Sequence, residues 1–189
     1  MQRISRREML QRVGALLGAA TTLPLPVAAR IRAQAALGES FISLTASEAE
    51  TVRAIISRLI PADESGPGAL EARADRYIDR ALSGALKASR AAYAMGLAAV
   101  DAQARTLRNT SFAKLAVADQ DTVLTTIERA NAGFFNLIRT HTIQGTFSDP
   151  FYGGNANFVG WDLIGYPGAR TTVAANLQLL DKKPEPVRN

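Results

Sequence analysis

Cysteine is absent from all 189 positions. Disulfides, thiolate metal sites, iron–sulfur clusters, thioether-linked haem and cysteine nucleophiles are excluded together, so the fold must be held by packing alone. The absence does not identify a compartment, because an exported protein can do without disulfides. Histidine is nearly absent as well. His141 is the only one, so no second imidazole exists to complete a metal site or a nucleophile–base pair. No Gly-x-Gly-x-x-Gly follows a strand pattern and no Gly-Lys-Ser/Thr loop occurs, which leaves dinucleotide and nucleoside triphosphate binding without support. Gly153-Gly154 alone is not a phosphate cradle. Strand-like alternation is also missing, which favours an all-α fold.

Excess acid is lacking too, and the formal charge of +5 would suggest an acidic partner if it were spread over the chain. It is not. Six of the 22 bases (Arg3, Arg6, Arg7, Arg12, Arg30 and Arg32) but only one of the 17 acids, Glu8, precede Ala36, which leaves sixteen of each beyond it. A neutral remainder has no electrostatic footprint for nucleic acid, and no basic stripe interleaved with aromatics appears in it.

Residues 1–35 have the three-part layout of a secretory leader: a basic start, an apolar stretch from Val13 to Leu25, and small residues at Ala33-Gln34-Ala35. The stretch falls short of the ~20 residues a bilayer span needs, and Pro24 and Pro26 break it. Ser5-Arg6-Arg7-Glu8-Met9-Leu10 sets adjacent arginines before an apolar pair, as in twin-arginine signals that export folded cargo through the twin-arginine translocase. Met9 and Gln11 stand where Phe and Lys are more usual, and an ordinary secretory leader containing Arg-Arg is the plainer alternative. The expectation is a periplasmic protein with a signal peptide over 1–35, a helical domain over 36–181 and a flexible tail over 182–189, where Lys182, Lys183, Pro184 and Pro186 cluster.

Within the domain, Thr45-Ala46-Ser47-Glu48 is a capping box, and Val52, Ile55, Ile56, Leu59 and Ile60 follow at helical spacing until Pro61. A second helix is predicted over 69–83, a third over 86–107, a short anchor at Phe112 and Leu115, and a fourth helix from Asp119 to His141, giving a bundle of about four main helices. His141 would then end a helix, hydrogen-bonded locally and favoured by the helix dipole. Asp63, Glu64 and Asp149 sit in turns, where an aspartate ordinarily accepts nearby backbone amides. Phe134 and Phe135 are adjacent and cannot share one direction.

The region from Gly145 to Ala169 differs in kind, with six glycines, two prolines and the aromatics Phe147, Phe151, Tyr152, Phe158, Trp161 and Tyr166. Ordering such a loop costs entropy, so it must be held against something, either the chain's own bundle or another protein. Trp161 is equally suited to core and to interface, whereas Tyr152, Asn155 and Tyr166 bring polar tips to a loop and suit an interface. With Gly153 and Gly154 these are the candidate partner contacts. No catalytic, cofactor-binding or metal-binding residue is nominated, and Arg6 and Arg7 are the candidate export signal.

Phe147-Ser148-Asp149-Pro150-Phe151-Tyr152-Gly153-Gly154-Asn155, followed by Gly160-Trp161-Asp162-Leu163-Ile164-Gly165-Tyr166-Pro167-Gly168, resembles the C-terminal signature of the gluconate 2-dehydrogenase subunit 3 family. The resemblance extends to Leu44-Thr45 and the first helix, Leu59-Ile60-Pro61-Ala62-Asp63, Gly66-Pro67-Gly68-Ala69 and His141-Thr142. It departs at Ala116-Val117, where relatives often place a Ser or Thr cap. It implies a non-catalytic small subunit whose large subunit binds FAD and belongs to the glucose-methanol-choline type, often with a multihaem cytochrome c subunit carrying haem c. The small subunit would supply the export signal and act as an assembly chaperone, touching the membrane only through its partners. The competing expectation is an independent exported binding or structural protein with no dehydrogenase partner.

Overall fold

The computed structural model describes residues 40–168 together with Pro186 and Arg188. These contain six α-helices, α1 (Ala46–Leu59), α2 (Ala74–Ser83), α3 (Arg90–Arg108), α4 (Val117–Ala130), α5 (Ala132–Phe147) and the short α6 (Val159–Leu163). No strand occurs among the described residues, only an isolated bridge between Asp63 and Gly66. The fold is all-α, and no described helix is long and apolar enough to cross a membrane. Arg6 and Arg7, the whole proposed leader and nearly all of the tail lie outside the described residues.

Helix α1 starts where the capping box predicts. Thr45 Oγ1 accepts the Glu48 amide at 3.3 Å, and Glu48 Oε2 accepts the Thr45 amide at 2.8 Å, satisfying two donors that a helix start otherwise leaves open. Arg90, at the start of α3, donates to both Glu48 oxygens at 2.7 and 2.9 Å and to the Ser43 carbonyl. Burial raises the Glu48 pKa, but the bonds from Thr45 and Arg90 outweigh it and leave the carboxyl below its ordinary value. One face of α1 then buries Val52, Ile55 and Ile56, each contributing about 1.5–3 kcal/mol by leaving water.

The second helix begins later than its apolar pattern predicts. Residues 69–72 form one turn that closes on Arg73, whose φ of 56° is left-handed. The Ala74 amide bonds the Ala69 carbonyl and the Arg73 amide bonds that of Leu70, a Schellman closure with arginine in place of the usual glycine. Helix α2 restarts at Ala74 and turns Asp79 inward, where its carboxylate accepts the amides of Ile42, Ser43 and Leu44 at 2.7–2.9 Å. Phe112 is fully buried and is held by Asp101 on its amide and Gln120 on its carbonyl.

The predicted fourth helix is two helices. Asn131, with φ −143° and ψ 59°, closes α4 through its amide on the Ile127 carbonyl and opens α5 by accepting the Phe134 amide on its side chain. One asparagine thus serves as end and start, a role its short polar side chain fits better than a helix interior. The other end also moves: α5 runs on to Phe147 instead of stopping at His141. Ala116 caps α4 with no side-chain bond, consistent with the missing Ser or Thr.

Candidate functional site

The distinctive segment, 148–168, folds back onto α5 and the turn ahead of α2 by backbone contact. On α5, Thr142, Gly145 and Thr146 are all buried, with both threonine hydroxyls turned onto their own helix's carbonyls. The Asn155 amide bonds the Gly145 carbonyl at 2.8 Å, and the Ala156 amide bonds the Ala72 carbonyl at 3.0 Å. A Cβ on Gly154 would lie 2.0 Å from the Gly145 oxygen, and one on Gly160 would lie 1.9 Å from the Thr146 oxygen. Both approaches are closed to any residue with a side chain.

Asn155 is completely buried and acts as a clamp. Its Nδ2 donates to the Ser148 carbonyl at 2.9 Å and its Oδ1 accepts the Gly160 amide at 2.8 Å, closing the loop on itself. Trp161 is 6% exposed and donates Nε1–H to the Phe147 carbonyl at 2.8 Å. Fixing this path requires left-handed backbone at Asn155, Asn157 and Phe158. Asparagine tolerates that region, but Phe158 stores on the order of 1–2 kcal/mol there.

The partner-contact candidates therefore separate. Gly154, Asn155 and Trp161 face the chain's own interior, so the polar tip of Asn155 serves the loop and offers no outer surface. Gly153 is half-buried at φ 98°, where it closes the turn over Pro150–Tyr152. Tyr152 is 57% and Tyr166 42% exposed, joined by Phe151 at 74% and Ile164 at 59%. Phe151 was not nominated from sequence, although it stands in the same motif. Phe134 enters the core edge-on to Tyr93 at 5.9 Å, while Phe135 is only half-buried.

His141 departs from its expected role. It lies inside α5, is buried, and bonds through Nδ1 to the Tyr93 hydroxyl of α3 at 3.0 Å. Burial lowers the imidazole pKa, and burial, with a smaller contribution from Tyr77, raises that of Tyr93. Both are neutral at pH 7, and the imidazole tautomer sets which of the two donates in their shared hydrogen bond. The pair ties two helices together. Asp63 and Asp149 behave as turn residues, accepting the amides of Ser65 and Phe151 at 2.8 and 2.9 Å. Among the described residues no group of three or more His, Cys, Asp or Glu side chains is placed to hold a metal.

No curated protein and no solved structure matches the chain. A family model does, over residues 46–168, from the first residue of α1 to the last glycine of the back-folded segment. The match thus spans both the helical body and the glycine-clamped cap, and on that ground the chain belongs to the gluconate 2-dehydrogenase subunit 3 family.

Proposed function

We propose that this chain is a non-catalytic accessory subunit that binds a large FAD-dependent dehydrogenase of the glucose-methanol-choline type, escorts it through the twin-arginine translocase and stays attached in the periplasm. The observation that carries the reading is the match over 46–168 to a family of dehydrogenase subunits. The flavin belongs to the large subunit and the haem c to a cytochrome subunit, and membrane association comes only through those partners. Two further points support it. The leader carries Arg6-Arg7, suited to cargo exported already folded, and the one imidazole is engaged by Tyr93 in the helical body.

The alternative, an exported protein with no dehydrogenase partner, calls for an aromatic loop packed wholly on itself. Phe151, Tyr152, Ile164 and Tyr166 all remain outward-facing, which favours the accessory reading. The test is to express a leaderless FAD-dependent large subunit from the same organism with and without this chain, and to assay dye-linked sugar or sugar-acid oxidation in the periplasm. Activity should appear only with this chain present and should vanish when Arg6 and Arg7 are both changed to Lys. Equal periplasmic activity without the chain refutes the escort role.

A further inference from the structure

The cap over 148–168 makes two kinds of contact, and they differ in strength. Within itself it is tightly tied. Asn155 joins the Ser148 carbonyl to the Gly160 amide, and the Trp161 indole donates to the Phe147 carbonyl. Both clamps therefore close where the cap begins. The Trp161 ring meets Phe158 at 5.5 Å and Tyr166 edge-to-face at 5.0 Å, a small aromatic cluster of the cap's own. Near the chain end, Arg188 joins the same side, pairing with Asp162 and lying 4.8 Å from the centre of the Phe158 ring.

Toward the body the ties are polar or steric. The Asn155 and Ala156 amides reach the Gly145 and Ala72 carbonyls, and the Ser148 amide reaches that of Gln144. Arg80 donates to the Phe151 carbonyl at 3.1 Å. Gly154 and Gly160 lie close against α5, and Leu163 lies beside Gly66. What is missing is a shared apolar core: among the described residues, the core that begins at Leu44 ends at Ile138 and includes no side chain of the cap. A junction with few apolar contacts opens at far lower cost than the core it adjoins. The entry to the cap is also imperfectly satisfied, because Ser148 Oγ is buried with no hydrogen-bond partner among the described residues.

We propose that the cap is a rigid piece that undocks from α5 and from the turn ahead of α2 while both it and the helical body stay folded. Rotation about the Cα–C bond of Phe147 permits this, since the Phe147 carbonyl then travels with Ser148 and keeps its bond to Trp161. Phe151, Tyr152, Ile164 and Tyr166, the outward apolar groups, all ride on the cap. Undocking re-aims the four together and bares the Gly145 and Ala72 carbonyls. The inference is independent of the accessory-subunit reading.

Hydrogen exchange of the full-length chain, followed proton by proton by nuclear magnetic resonance, tests it. The Asn155 and Ala156 amides, bonded across the junction, should be protected about 100-fold less than Ile56 of α1 and Ile138 of α5, with a shallower dependence on denaturant. The Gly160 amide and the Trp161 indole N–H, bonded inside the cap, should stay protected about 10-fold or more above those two amides. Gly154→Ala, whose methyl would meet the Gly145 oxygen at 2.0 Å, should hold the cap undocked. Asn155 and Ala156 should then lose most of their protection, while Gly160, the Trp161 indole and Ile56 change by less than about threefold. If Asn155 and Ala156 in wild type exchange only together with Ile56 and Ile138, cap and body open as one and the proposal fails. If the Gly160 amide and the indole N–H exchange as fast as Asn155 and Ala156, in wild type or in Gly154→Ala, the cap unfolds where it stands instead of moving as a piece, which overturns the proposal equally.

Discussion

The helical body and the cap over 148–168 are held by different means. In the body, large side chains interlock: Ile55, Ile56, Ile78, Tyr93, Val100 and Phe112 are essentially inaccessible, and a truncated side chain there leaves a cavity that neighbours partly fill. In the cap, backbone meets backbone where Gly154 approaches Gly145 and Gly160 approaches Thr146 of α5, and one buried amide, Asn155, ties the ends. Packing of the first kind tolerates exchange among apolar residues of similar volume. Packing of the second kind tolerates no added atom at the contact. Glycine here is required for proximity, even where φ is ordinary, as at Gly154 and Gly160.

The sharpest way to break that comparison is Gly160→Ala, since the new methyl would sit 1.9 Å from the Thr146 carbonyl oxygen, far inside van der Waals contact. The cap should detach while the body stays helical, a loss of roughly 3 kcal/mol or more from the cap's local stability. Trp161, the only tryptophan, should report it as a red-shifted emission, with far-ultraviolet circular dichroism nearly unchanged and proteolysis confined to 148–168. A cooperative loss of all helix would mean that cap and body are one folding unit. Asn155→Ala comes next. It strands the Gly160 amide and the Ser148 carbonyl without a partner, which should cost about 2–3 kcal/mol for two buried bonds. Chemical denaturation monitored at Trp161 measures it.

What the sequence made legible divides along the same line. The α1 start, its stop at Pro61 and the Phe112 anchor were readable because each is decided within a few residues by caps, proline and period. The break at Asn131 was written in Asn-Ala-Gly, but the apolar stripe from Val123 to Ile138 runs past it unbroken, and period alone does not register a restart. His141 was misplaced because its partner, Tyr93, is 48 residues away and no local pattern announces it. In the cap, glycine and aromatics in a loop describe a protein interface and a tightly seated backbone equally well. Composition therefore could not tell that Asn155 and Trp161 turn inward while Phe151 and Tyr152 stay out.

In the body, the Tyr93–His141 pair predicts a pH dependence. The folded pKa of His141 is depressed by burial, so as pH falls below about 6.5, the ordinary imidazole value, the unfolded chain binds the proton first. Stability is then complete above that pH and declines as pH drops from there toward the folded pKa, where the decline levels off. His141→Gln should be less stable at neutral pH but should lack this step, and comparing the two melting temperatures between pH 7.5 and 5, which brackets the ordinary value, isolates it. An identical decline in both proteins would place the titration on other groups. Tyr93→Phe, which removes the hydroxyl bonded to Nδ1, should cost about 1 kcal/mol at neutral pH.

The smallest effect tests glycine itself. Gly133 lies in the first turn of α5, and a Cβ there meets nothing within 4 Å. With no close approach to protect, only propensity acts, and alanine should raise stability by about 0.5–1 kcal/mol. Set beside Gly160→Ala, the same added methyl should change sign, stabilising where glycine merely loosens a helix and disrupting where glycine admits a neighbouring carbonyl. If Gly133→Ala also destabilised, conformational freedom and not proximity would be the common requirement, and the distinction between side-chain packing in the body and backbone packing in the cap would fail.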